Sequence, residues 1–197
     1  WIRTLYCYPE RITDELLDVI AKEDKLVKYL DMPIQHSEDK ILKLMGRKST
    51  RAELKEVIDG LRKKMPDICI RTTLIVGFPG ETEDDFEGLC SFIKEIGFDR
   101  LGVFTYSREE GTPAYKLPNQ LDEQVKQQRK DYIMELQKSV SADICNSFIG
   151  KTLEVIVEGK IEDEDNVYCG RSYRDCYEID GYVFFESKNE LIAGDYY

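Results

Sequence analysis

The chain has 197 residues, 42% of them hydrophobic and 34% charged, with a formal net charge of −11. That length allows one large domain or a medium and a small one around a real core, and no apolar run reaches a membrane-spanning length. So acidic a chain argues against nucleic acid, which is gripped by Lys and Arg facing phosphate, and favours a basic partner.

Ile2–Tyr8 reads as a strand closed by Pro9, and Thr13 as the cap of a helix to about Ala21 with Leu16, Leu17 and Ile20 inward. The chain opens on Trp1 in what reads as mid-strand, without a signal peptide, so the expectation is a piece of a longer protein. Tyr29–Ile34 is the next strand, and Ser37 with Glu38 and Asp39 starts a helix stopped near Gly46. Thr50 and Glu53 form a capping box for a further helix, with Leu54, Val57, Ile58 and Leu61 on one face and Pro66 beyond its end.

The most informative stretch is Arg71–Thr82, RTTLIVGFPGET, at the end of a strand over Ile68–Val76. Leu74, Ile75 and Val76 are an unbroken apolar run, the mark of a strand covered on both faces. Gly77 and Gly80 let the backbone approach a ligand, Pro79 stiffens the bend, and Thr82 is an N-cap before Glu83, Asp84 and Asp85. In parallel α/β proteins ligands sit at the carboxyl ends of strands, so the candidate site is placed at this bend. The carboxylates crowding the helix start would repel a phosphate, and no G-K-[ST] or G-x-G-x-x-G is present.

Phe86, Leu89, Cys90, Ile93 and Ile96 line one face of the following helix, which Gly97 ends, and Arg100–Tyr106 is the fourth strand. Repeated βα units imply a parallel sheet, either doubly wound or part of a barrel. Leu121, Val125, Tyr132, Leu136, Val140, Ile144 and Phe148 mark a long helix that Gly150 breaks. Lys151–Tyr197 then alternates like a small antiparallel β-barrel, with strands at Leu153–Glu158, Val167–Arg171, Tyr182–Glu186 and Leu191–Tyr197, and looks truncated. Five basic against twelve acidic residues give this module about −7 of the total charge.

The six cysteines, Cys7, Cys69, Cys90, Cys145, Cys169 and Cys176, are dispersed outside any C-x-x-C cluster. Free thiols in a reducing cytoplasm are the expectation, with a Cys169–Cys176 pair the lesser alternative. His36, the sole histidine, has no cysteine near it, so no metal ligands are assigned.

RTTLIVGFPGET, read with DMPIQHS at Asp31–Ser37 and YSREEGTPAY at Tyr106–Tyr115, resembles the radical S-adenosylmethionine methylthiotransferases, and FIGKTLEVIVEG at Phe148–Gly159 resembles the opening of their TRAM domain. Within that family the pattern is most similar to the branch that modifies an aspartate of a ribosomal protein. The tRNA-modifying members carry Gln-Ser-Gly where this chain has Gln35, His36 and Ser37. The resemblance implies residues 1–120 as the last four strands of a radical SAM partial barrel, 121–149 as a connecting helix and 150–197 as an incomplete TRAM barrel. It implies S-adenosylmethionine and two 4Fe–4S clusters in the parent protein, whose cysteine ligands are absent here, so the piece is expected to be inert alone. It also implies a basic small-subunit ribosomal protein as partner of the acidic module. The rivals are a tRNA methylthiotransferase and a non-catalytic binding module, and the unpaired first strand invites self-association.

The family chemistry implied is transfer of a methylthio group to the aspartate β-carbon after a 5′-deoxyadenosyl radical takes its hydrogen; the protein binds and aims the cofactor. Gln35, His36 and Ser37 follow a strand end and are candidates for the ribose or methionine groups, with a structural hydrogen bond and an N-cap as the plain readings of His36 and Ser37. Arg71 needs a partner, a ligand carboxylate or else Asp31 or Glu81, and Glu81 is also a cofactor candidate. Ile75, Val76 and Gly77 resemble the adenine-contacting strand, with core packing the alternative for the two aliphatics. Phe104 and Tyr106 could stack on the base or close the barrel, and the Arg108–Thr112 loop faces either substrate or solvent. No bond-making side chain is assigned.

Overall fold

The computed structural model describes residues 1–197. Strands β1 (Ile2–Thr4), β2 (Leu26–Asp31), β3 (Cys69–Val76) and β4 (Arg100–Thr105) form a parallel sheet in chain order. Between them run α1 (Asp14–Lys22), the pair α2 (Asp39–Leu44) and α3 (Arg51–Lys64), and α4 (Glu83–Ile96). The helices share one core with Leu30, Ile70, Leu74, Val76, Leu101 and Val103 of the sheet. Winding in sequence order with the helices on one face is how a barrel segment is built, whereas a doubly wound sheet reverses its order. The half-barrel reading of the sequence therefore holds.

Two of the capping boxes close as their side chains dictate. Thr50 accepts from the Glu53 N–H and Glu53 from the Thr50 N–H at the start of α3, and Thr82 and Asp85 do the same at α4. Each satisfies two orphan donors. Thr82→Ala is expected to lower stability by about 1 kcal/mol, a loss that Thr82→Ser largely avoids, read by chemical denaturation.

Several strands differ from their sequence limits: the one read from Leu153 starts at Val155, Leu191–Tyr197 forms no strand but only a bridge from Tyr196 to Ile156, and the largest shifts in the parallel sheet are at β1 and β2. β1 stops at Thr4 because Tyr6 turns left-handed (φ 59°), its N–H bonded to Asp31 Oδ2 at 3.2 Å, while the Cys7 N–H reaches the Asp31 carbonyl. β2 begins earlier than Tyr29, and its pairing with β3 resumes beyond Asp31 as a bridge from Gln35 to Leu74.

Helix α5 (Glu123–Asn146) packs against β4 and α4 and leads into an antiparallel sheet of β5 (Val155–Lys160), β6 (Val167–Ser172) and β7 (Val183–Glu186). The final residues return to β5: the Val155 and Tyr197 backbones exchange hydrogen bonds of 2.9 and 3.0 Å.

Candidate functional site

Four features converge at the carboxyl edge of the parallel sheet. Gln35 sits left-handed (φ 71°), held because its N–H donates to the Thr73 carbonyl and its own carbonyl accepts from the Ile75 N–H. A non-glycine residue there costs about 1–2 kcal/mol, and such strain concentrates at functional sites. Beside it Ile75, Phe78 and Tyr106 form a floor, the last two rings edge to face at 5.1 Å. With the end of α2 (Lys43–Arg47) and Thr112–Ala114 they enclose a cavity of about 540 Å³. Gln35 Oε1 and the Tyr106 hydroxyl are buried there without a hydrogen-bond partner. Buried polar atoms are almost always paired, so these two are open to a ligand.

The bend behind this floor is clamped from helix α5. Glu81, its side chain fully buried, accepts from the Gly77 N–H at 3.0 Å and from Arg129, and its Oε2 lies 3.3 Å from His36 Nε2. Arg129 also reaches Glu83 at 2.9 Å. Lys126 lies along Gly77, and its ammonium donates to the Tyr106 carbonyl at 3.1 Å and to Glu123 at 2.6 Å. Sequence reasoning missed Lys126 and Arg129. Of the apolar positions that mark the helix, Val125, Tyr132, Val140 and Ile144 stay partly or fully exposed, and the buried positions of α5 are Lys126, Arg129, Ile133 and Gln137. The polar ones each find a partner in the core.

Of the candidate residues, Gln35, Ile75 and Tyr106 therefore meet on one cavity, with Gly77 beside it. The others need correcting. His36 is fully buried behind the floor, its Nδ1 accepting from the Glu38 N–H at 3.0 Å, while its Nε2 stands 3.3 Å from Glu81 without a hydrogen bond. Ser37 is buried and donates to Glu38 at 3.1 Å; Glu38, not Ser37, is the N-cap of α2. Val76 alternates onto the helix side and packs in the core. Glu81 is a hub behind the floor, as described. Phe104 is 62% exposed on the opposite face from the helices and is not part of the cavity wall.

Arg71 finds neither Asp31, Glu81 nor the cavity. Its Nη2 donates to both carboxylate oxygens of Asp180 and its Nε to the Tyr29 hydroxyl, on the face of the sheet away from the helices. The segment between β6 and β7 supplies this partner. Arg100 pairs with Asp175 at 2.6 Å, Arg3 donates to the Tyr173 and Asp175 carbonyls, and Arg174 pairs with Asp99. Burial alone would lower the Arg71 pKa, but Asp180 and Tyr29 outweigh it and hold it above its ordinary value. Asp31 is pushed up by burial against the opposing pull of the Tyr6 N–H and Arg71. The Arg108–Thr112 loop is exposed.

A larger cleft of about 800 Å³ lies between Arg62, Gly97, Phe148 and Arg174, at the amino ends of β3 and β4. Ligands of parallel sheets bind at the carboxyl ends, which selects the smaller cavity.

All six cysteines are free, and no three histidine, cysteine or carboxylate side chains converge. Burial pushes the thiols of Cys69 up to about 12 and Cys90 up to about 11. As pH rises above about 9 the unfolded chain releases these protons before the folded one does, so stability falls through that window and is untouched below it. Iodoacetamide at pH 8 is expected to label the exposed Cys145 first, since only thiolates react. Mass spectrometry showing Cys69 labelled as fast as Cys145 would contradict this burial.

Comparison with known proteins gives the context. Residues 2–93 match the radical SAM superfamily and residues 149–197 the TRAM domain. The chain is 52% identical over its whole length to the ribosomal protein uS12 methylthiotransferase RimO of Clostridioides difficile, covering 44% of it. It is equally similar, at 52%, to the RimO of Acetivibrio thermocellus, covering 43% of it. The chain thus spans less than half the length of these relatives. The crystal structure of Streptococcus suis SuiB shares the fold over 69% of this chain and 30% of its own, with a TM-score of 0.50 at 17% identity.

Proposed function

We propose that this chain belongs to the radical S-adenosylmethionine methylthiotransferase family and forms the nucleoside-binding part of an enzyme that adds a methylthio group to the β-carbon of an aspartate in ribosomal protein uS12. The observation that carries the reading is the cavity at the carboxyl edge of the sheet, with an apolar floor and two unpartnered polar atoms. Ile75 and Phe78 suit a base face, Tyr106 closes its edge, and Gln35 Oε1 and the Tyr106 hydroxyl offer one acceptor and one donor.

S-adenosylmethionine, when bound, supplies the methyl group and the means of hydrogen abstraction. The protein's own work is to hold the nucleoside still against Ile75 and to keep water from it. A 4Fe–4S cluster does not fit the residues present, because the cysteines lie apart in β3, α4, α5, β6 and two loops. Alone, the chain is therefore inert in this chemistry, and reconstitution with iron and sulfide should yield no cluster chromophore.

The acidic module is the docking side for the basic ribosomal protein in this reading, and its charge opposes tRNA. No helix is long and apolar enough to cross a membrane, and a ribosomal substrate places the work in the cytoplasm. The β1 edge of the sheet makes self-association of this chain part of the proposal.

Calorimetric titration with S-adenosylhomocysteine tests the cavity. Tyr106→Phe and Gln35→Ala are each expected to weaken binding several-fold, the worth of one buried hydrogen bond. Binding that ignores both substitutions, or no binding, would refute it.

A further inference from the structure

Lys126 places an ammonium group in the core behind the cavity floor. The residue is 2% exposed on the inward face of α5, where an apolar side chain would fill the space without desolvating a charge. Its one carboxylate partner, Glu123, has a side chain 81% exposed, so water screens much of that pairing. What the charge meets inside is Tyr106: the ammonium donates to its carbonyl at 3.1 Å and stands 5.2 Å from the centre of its ring. The same ring lies edge to face with Phe78, and its hydroxyl is one of the two unpartnered polar atoms of the cavity. The plain reading of Lys126 is a structural donor for a carbonyl just past the end of β4. A neutral donor would serve that carbonyl with less desolvation, so this reading leaves the charge unexplained.

We propose that Lys126 is a positioning residue of the nucleoside site, its buried charge acting through Tyr106 to hold the ring and strengthen the hydroxyl as a donor to the ligand. The proposal rests on the nucleoside reading above and adds to it a residue outside the cavity wall. A cation within about 6 Å of an aromatic ring is attracted to its π-electrons. Electron density drawn toward the cation leaves the phenol oxygen, which makes the O–H a better donor. In water such a charge is screened, whereas in a buried site it acts at short range through a lower dielectric. The stem of Lys126 also lies along Gly77, so one side chain registers both the bend and the ring. A helix read from the sequence as a connector thereby takes part in the site.

Calorimetric titration of the full chain with S-adenosylhomocysteine reads the effect in a double-mutant cycle of Lys126→Met and Tyr106→Phe. Methionine keeps the stem along Gly77 and removes the ammonium. Alone, Lys126→Met is expected to weaken binding about three- to tenfold; with Tyr106→Phe already present it should add nothing, because the hydroxyl it acts through is gone. Lys126→Gln, which keeps a donor for the Tyr106 carbonyl without the charge, should lose nearly as much, and it takes the place of Lys126→Met in the cycle if that variant folds poorly. Equal losses in both backgrounds, no loss, or full affinity in Lys126→Gln would mark a structural lysine and overturn the proposal. A second readout needs no ligand. In protein labelled with 3-fluorotyrosine, the fluorine resonance that vanishes in Tyr106→Phe should move in Lys126→Met, while that of Tyr132 on the same helix stays in place. A Tyr106 resonance that does not move, or that moves together with that of Tyr132, counts against the proposal. Should wild type take up no nucleoside, the nucleoside reading fails, and this resonance alone decides whether Lys126 acts on Tyr106.

Discussion

Replacing Asp180 by alanine is expected to cost roughly 3 kcal/mol of folding stability, because it leaves Arg71 charged and unpaired in the sheet. The pair is well placed for a large effect: side-chain exposure is 16% for Arg71 and 9% for Asp180. Asp180 also accepts from the Cys176 N–H at 2.7 Å and stands 3.5 Å from Arg100, so one deletion loosens the whole β6–β7 segment. Losing an anion from a patch fed by Arg3, Arg71 and Arg100 leaves cations facing one another. The double variant Arg71→Met with Asp180→Leu should cost less than the sum of the two single ones, since no orphan charge then remains. Urea denaturation of wild type, the two single variants and the double closes this cycle, with Asp180→Ala measured beside them. Additive losses, or an Asp180→Ala loss below about 0.5 kcal/mol, the scale of an ordinary surface change, would mean that the segment is not held by this pair.

Gly77→Ala carries the second large effect, for two separable reasons. The residue sits at φ 73°, which costs a side chain about 1–2 kcal/mol. An added Cβ would also stand 2.3 Å from Lys126 Cγ, and Lys126 cannot swing aside because its ammonium is fixed to Tyr106 and Glu123. Overpacking of this kind adds about 1–3 kcal/mol. The expected total is about 2–5 kcal/mol, with nucleoside affinity falling at least tenfold as the floor shifts. Shortening the neighbour should help: Lys126→Ala introduced into Gly77→Ala removes the clash and leaves the backbone strain. Folding stability and S-adenosylhomocysteine affinity, measured on both variants, read the two components apart. A Gly77→Ala protein as stable as wild type, or one made worse by Lys126→Ala, would sink this view of the bend.

What the sequence made legible is what short-range chemistry decides. Thr50 with Glu53, Thr82 with Asp85, and the left-handed Gly97 end or begin helices through partners within a few residues. The apolar run before Gly77 declared β3 for the same reason. The failures share the opposite cause. β1 ends early because of a carboxylate 25 residues away, and Arg71 is satisfied by an aspartate 109 residues away. No local pattern carries such information. Helix α5 was legible as a helix from its apolar spacing, but its most buried face includes the long polar side chains Lys126, Arg129 and Gln137, which hydrophobic periodicity does not reveal. His36 and Glu81 are candidates in the sequence, and in the fold both stand one layer behind the cavity floor, where Glu81 holds Gly77.

A crystal structure of this chain with S-adenosylhomocysteine is the most direct trial of the account. The base is predicted to lie on Ile75, with polar contacts to Gln35 and Tyr106. Density for the nucleoside in the larger cleft beside Phe148, or in the groove between α4 and α5, would contradict it.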